Sequence, residues 1–159
     1  MTTDALAVGV VGAGAMGRGI AQVAAAAGHR VLLGDAVAGA TERARDAIRS
    51  SLGREVSKGR LEVASADAIL SRIVDAGDLA AGVAPFAPCD IVIEAVVEEL
   101  AAKRSLFVAL EAVVSRECIL ATNTSSLSVA AIRPRHCGTG VSGSTTCTSR
   151  TSGTTCSQA

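Results

Sequence analysis

The chain has 159 residues, enough for one domain with a real core, and 49 % of them are hydrophobic. Lys plus Arg and Asp plus Glu number 15 each, so no basic patch points to nucleic acid and no acidic tail points to a basic partner. Only Phe86 and Phe107 are aromatic, which leaves the core to be built from Ala, Val, Leu and Ile.

A short apolar run from Leu6 to Val11 leads into Gly12-Ala13-Gly14-Ala15-Met16-Gly17. It reads as a strand followed by a glycine turn that opens a helix. The helix is predicted over about Ala15 to Ala27, with Met16, Ile20, Val23 and Ala27 recurring on one face and Gly28 stopping it. A second apolar run, Val31 to Leu33, ends at Asp35, a little over twenty residues after the first glycine. Strand, glycine turn, helix, strand and acid are the parts of a dinucleotide site. Gly12 permits the tight turn, Gly14 lets a pyrophosphate approach the backbone, and Gly17 lets the helix pack closely on the sheet. The helix N-terminus offers its free N–H groups and dipole to the phosphates. Asp35 is placed to accept both hydroxyls of an adenosine ribose and would repel a 2′-phosphate, which favours NAD over NADP. His29, in the helix-to-strand loop, reads as a surface or cap histidine.

A long polar helix is expected from about Ala38 to Lys58, with Ala44, Ile48 and Leu52 four apart and Gly59 breaking it. Arg54 and Lys58 on this arm are candidates for ligand phosphates, with a solvated helical face as the simpler reading. A further helix from about Ser65, with Ser65 and Asp67 near its N-cap, precedes a short strand at Ile73-Val74. Cys89 to Val97 is nearly continuous in β-branched residues, as a strand buried on both faces should be. A helix follows from Glu99 to Val114, and then a buried strand, Cys118 to Ala121. Repeated β-α-β crossovers predict an α/β domain, a Rossmann-type doubly wound parallel sheet. Ligands bind such sheets at the carboxyl ends of the strands. Glu98 and the polar loop Asn123 to Ser126 therefore fall on the same rim as the glycine turn; Glu94 lies inside the strand run and reads most simply as a rim or helix N-terminal carboxylate. Glu98 reads either as a helix N-terminal carboxylate or as a group near the nicotinamide ribose. Asn123 and Ser125 carry groups that can orient a carbonyl or hydroxyl, or simply close the loop.

No Ser-His-Asp set and no metal cluster is visible. The five cysteines form no CxxC pair and are odd in number, so a disulfide framework is not expected. The N-terminal apolar stretch lacks a basic flank and is interrupted by Arg18, unlike a signal peptide or membrane span. A reduced, cytoplasmic protein is expected.

Four ordered blocks, VGVVGAGAMGRGIAQVAAAAGH, KGRL, DIVIEAVVEELAAK and ILATNTSSLSV, closely resemble the NAD-binding domain of 3-hydroxyacyl-CoA dehydrogenases. The bacterial 3-hydroxybutyryl-CoA and 3-hydroxyadipyl-CoA type is nearest. The resemblance covers about Ala7 to Ile132 and implies NAD bound along Gly12, Ala13, Gly14, Ala15, Met16, Gly17 and Asp35. It also implies Glu98 and Lys103 near the nicotinamide ribose, Asn123 by the nicotinamide and Ser125 on the 3-oxygen of an acyl-CoA substrate. The implied reaction is oxidation of a (3S)-hydroxyacyl-CoA to the 3-oxoacyl-CoA, as in fatty-acid metabolism. In that family a His–Glu pair is the base, with His taking the hydroxyl proton.

From Arg133 the hydrophobic periodicity stops and Thr, Ser, Gly and Cys dominate. The expected organisation is an NAD-binding domain over 1–132, its sheet incomplete at the C-terminus, and a tail over 133–159 that lacks the apolar content to order itself. The catalytic His and Glu and the helical dimerisation domain have no counterpart here; His136 lies in the tail and matches no part of the pattern. The abrupt switch is read as a shifted reading frame near Ile132–Arg133, with a natural truncated module as the other origin. Impaired turnover is expected. The alternatives are a non-catalytic NAD-binding fragment and another Rossmann β-hydroxyacid dehydrogenase; activity on acyl-CoA against free hydroxy acids separates the latter.

Overall fold

The computed structural model describes residues 5–97 and 99–123, and the backbone of 141–142 and 146–147. Strand β1 (Ala7–Val11) runs into helix α1 (Ala15–Ala26) and returns through β2 (Arg30–Asp35). Helices α2 (Ala40–Ser57) and α3 (Val63–Arg72) lead to β3 (Ile73–Asp78). Two short 3-10 turns, Leu79–Ala81 and Ala84–Phe86, then bring the chain to β4 (Ile91–Glu94), α4 (Leu100–Val113) and β5 (Ile119–Thr122). The strands form one parallel sheet in the order β3-β2-β1-β4-β5. From β1 the chain crosses to β2 on one side, and β4 takes the other. The switch point between β1 and β4 is thus the crevice where doubly wound sheets bind ligands. A separate antiparallel pair joins β6 (Val141–Ser142) and β7 (Thr146–Cys147). The boundary expected at Ile132–Arg133, and the rest of the 133–159 tail, lie outside the described residues.

The period-two alternation of the strands divides the core between the two faces of the sheet. Val8, Val10, Val31, Leu33 and Ile73 point to α1, α2 and α3, where Ala44, Ile48, Leu52 and Ile69 meet them. Val11, Leu32, Val92 and Leu120 point the other way, onto Phe86, Phe107 and Leu110. Phe86 is fully buried, and glycines in two strands make room for its ring. A Cβ on Gly9 would lie 2.7 Å from Phe86 Cδ1, and one on Gly34 would lie 3.1 Å from Phe86 Cζ.

Several expected details differ. The most deeply buried face of α1 is Gly17, Ala21 and Ala25; of the expected stripe Ile20 packs partly buried against this core, while Ala27 is exposed and Met16 and Val23 are 58 % and 71 % exposed. Close helix-to-sheet approach favours small residues at the contact, so Met16 and Val23 turn outward. Glu62, not Ser65, is the N-cap residue of α3. β3 is longer than Ile73-Val74. β4 is much shorter than Cys89 to Val97, because the backbone leaves the ladder after Glu94: the Val96 N–H donates to the Glu94 carboxylate itself at 2.7 Å. Gly28 does stop α1, at φ +97°, with its N–H on Ala25 O and that of His29 on Ala24 O. His29 takes a loop role, its Nδ1 accepting from the Leu6 N–H at 3.2 Å.

Candidate dinucleotide site

Register places the site. Gly34, Val11, Glu94 and Thr122 stand in one row across β2, β1, β4 and β5. One residue further along each strand come Asp35, Gly12, Ala95 and Asn123. The acid, the glycine turn and Asn123 therefore share one rim, as the sequence reading expects of these residues; the rest of the polar loop, 124–126, lies outside the described residues.

The glycine turn is tightly built. Gly12 has φ +107°, a backbone region that L side chains rarely adopt, and a Cβ there would lie 2.5 Å from Ala95 O. A Cβ on Gly17 would fall 1.7 Å from Gly12 O. At Gly14 the position of a Cβ is open, with nothing within 4 Å. No side chain caps the N-terminus of α1, so its dipole and N–H groups face the space above Gly14. Asp35 is held by the turn: its Oδ2 accepts from the Ala13 N–H at 2.7 Å and its Oδ1 from the Val37 N–H at 2.8 Å. A groove of about 420 Å³ runs along Ala13, Gly14, Ala15 and Asp35, with Arg18 and Arg43 on its walls. Arg18 and Ala15 also border a second groove of about 350 Å³ between α1 and α2, where Ser51 and Arg54 stand. Lys58 does not line either groove and pairs with Glu55 at 3.8 Å.

Among the other expected site residues, Met16 is exposed at the start of α1. Asn123 is half-buried, its N–H donating to Glu94 O at 2.8 Å. Lys103 is not open to a ligand; the first turns of α4 carry it under the strand ends, where it is 0 % exposed. There its Nζ lies 2.8 Å from both carboxylate oxygens of Glu94. Glu94, which as a bare sequence position reads as a rim carboxylate, is itself fully buried. Its Oε2 also accepts from Thr122 Oγ1. No signal in the sequence marks Thr122 or this pairing, which only the parallel register of β4 and β5 creates. Glu98 and Ser125 lie outside the described residues, as does His136.

Cys89 and Cys118 are free and buried at the feet of β4 and β5. Burial pushes the Cys89 thiol up to about 12 and the Cys118 thiol up to about 11, each raised further by the charge of Asp90. They are core residues, not nucleophiles. Among the described residues there is no group of three or more potential metal ligands, and no helix is long and apolar enough to cross a membrane.

An open glycine turn at the switch point of a doubly wound sheet, with an acid closing the second strand, defines a dinucleotide-binding domain. A family model described as 3-hydroxyacyl-CoA dehydrogenase, NAD binding domain, matches residues 7–138; the chain belongs to this family of NAD-dependent oxidoreductases. The 3-hydroxyadipyl-CoA dehydrogenase of Escherichia coli is 42 % identical over 132 residues, covering 83 % of this chain and 27 % of that protein. A probable 3-hydroxybutyryl-CoA dehydrogenase of Deinococcus radiodurans is 44 % identical over 124 residues, covering 78 % of this chain and 43 % of that protein. Among solved structures, the (S)-3-hydroxybutyryl-CoA dehydrogenase of Ralstonia eutropha superposes with a TM-score of 0.75 at 34 % identity, covering 83 % of this chain and 46 % of that one. The chain thus spans less than half the length of these relatives.

Proposed function

We propose that the chain is the cofactor-binding part of a dehydrogenase that oxidises a (3S)-hydroxyacyl-CoA to the 3-oxoacyl-CoA, and that it binds NAD but turns over acyl-CoA poorly. The observation that carries this reading is the open position above Gly14 between the α1 N-terminus and Asp35. A Cβ would occupy the space that a pyrophosphate needs, and the acid stands where an adenosine ribose would follow. Gly12, Ala13, Gly14, Ala15, Met16 and Gly17 would hold the phosphates, and Asp35 the ribose hydroxyls. Bound NAD supplies the hydride acceptor. Asn123, fixed to β4 by its backbone, would orient the nicotinamide end; Ser125 would hydrogen-bond the substrate's 3-oxygen and Glu98 would face the nicotinamide ribose. Lys103 would support that ribose from beneath, through Glu94. Turnover by these 159 residues alone is expected to be poor, because they carry no match to the His–Glu base that the family resemblance implies.

The test is NADH titration of the purified chain by fluorescence, followed by acetoacetyl-CoA in the same cuvette. Binding without oxidation of NADH is the expected result. Absence of NADH binding would overturn the cofactor reading, and steady oxidation would overturn the reading of impaired turnover.

A further inference from the structure

Four segments converge on one carboxylate beneath the rim. Glu94 ends β4, Lys103 comes from α4, Thr122 ends β5, and Val96 belongs to the loop between β4 and α4. Glu94 Oε1 accepts from Lys103 Nζ at 2.8 Å and from the Val96 N–H at 2.7 Å. Oε2 accepts from Lys103 Nζ at 2.8 Å and from Thr122 Oγ1. The backbone carbonyl of Glu94 receives the Asn123 N–H, and the Ala95 N–H reaches back to Val11 O at 2.7 Å. Gly12 presses on the same loop at Ala95.

Net stability is a poor explanation for this arrangement. Removing both charges from water offsets most of their attraction, so a buried ion pair commonly adds little over an apolar pair of similar volume. What a fully satisfied network of this kind does is fix geometry. Here the fixed parts are the loop 95–97, which forms the floor under the glycine turn, and Asn123. Both lie on the β4–β5 side of the switch point, away from Asp35 and the adenosine side.

We infer that Glu94 is a positioning residue for the nicotinamide half of the cofactor, setting the loop 95–97 and Asn123 through its bonds to Lys103, Thr122 and Val96. This rests on the cofactor reading above. It separates the two halves of the ligand: ADP carries the adenosine and pyrophosphate without the nicotinamide ribose, and depends on the glycine turn and Asp35 alone.

The experiment compares NADH with ADP on the full chain by titration calorimetry, with thermal unfolding alongside. The wild-type chain is expected to bind NADH more tightly than ADP. In Glu94→Gln the charge-assisted bonds are lost, and NADH affinity is expected to fall about tenfold with ADP affinity unchanged. Thr122→Val keeps the ion pair and removes one bond; it is expected to show the same selective loss in smaller measure. This variant decides the matter if Glu94→Gln does not fold. Equal losses for both ligands in a folded variant, or no loss of NADH affinity, would overturn the inference. A wild-type chain that binds both ligands equally would overturn it too while leaving the cofactor reading intact. A wild-type chain that binds neither would remove both.

Discussion

A Cβ on Gly17 would stand 1.7 Å from the carbonyl oxygen of Gly12, so the first turn of α1 rests directly on the turn that opens it. Backbone cannot yield as a flexible side chain can. Gly17→Ala is therefore expected to lower stability by about 1–3 kcal/mol or more as α1 is pushed from the sheet, and to weaken NADH binding with it. Gly14→Ala separates the two effects. Gly14 has φ −67° and ψ −171°, which alanine adopts freely, and its Cβ position is open. Its melting temperature should hold or rise slightly, because alanine restricts the unfolded chain, while NADH affinity falls at least about tenfold as the methyl enters the phosphate space. Thermal unfolding and fluorescence titration of both variants check the pair. A Gly14→Ala protein that binds NADH normally would contradict the placement of the phosphates.

Asp35 carries a second prediction. Its two oxygens already serve the Ala13 and Val37 N–H groups, so the carboxylate is oriented before any ligand arrives. Asp35→Asn keeps one acceptor oxygen and removes the charge. Each bond to a charged group contributes about 1.5–3 kcal/mol, so NADH binding should weaken by about tenfold or more. NADPH binding should change little or improve, because the charge that repels a 2′-phosphate is gone. Parallel titrations with the two nucleotides measure this; an unchanged NADH-to-NADPH ratio would exclude Asp35 from ribose recognition.

The β1–α1–β2 unit was legible because each part depends on local chemistry: glycines where the backbone turns or touches, and an acid at the strand end. The buried face of α1 was not. Small residues pack closest, yet hydrophobic periodicity gives weight to the large ones, so Met16 and Val23 drew the stripe to the solvent side. The extent of β4 was overstated for a similar reason. Val96 and Val97 have strand-like side chains, but the backbone bond of Val96 goes to Glu94. Lys103 could be placed near the rim by resemblance but not in its burial, since its partner is nine residues away and on another element. The pairing of Glu94 with Thr122 depends on strand register, which spacing along one chain does not record.

Phe86 is the main large residue on the second face of the sheet, and its fit is reciprocal with Gly9 and Gly34. Phe86→Ala is expected to cost about 3–5 kcal/mol, a large share of the stability of a domain of this size. Gly9→Ala overpacks the same contact from the other side, with its methyl 2.7 Å from Phe86 Cδ1, at about 1–3 kcal/mol. Because the two changes share one space, they should not add: Phe86→Leu is expected to relieve part of the penalty of Gly9→Ala. Denaturant unfolding of the two single variants and the double variant tests this. Strict additivity would mean that the ring and the glycine do not meet.

The two buried cysteines predict how stability changes at alkaline pH. Unfolded, each thiol loses its proton near its ordinary value; folded, Cys89 holds it up to about 12 and Cys118 up to about 11 because burial penalises the thiolate. Above about pH 9 the unfolded chain therefore binds fewer protons than the folded one, and the slope of unfolding free energy against pH is negative. The contribution of both thiols is fully present at neutral pH and is lost as pH rises from about 9 toward 12. Melting temperatures of the wild-type chain should fall across that interval. Cys89→Ala should be less stable at pH 7, through lost packing, but show a shallower decline. A decline of equal slope in the variant would assign the alkaline loss to other groups.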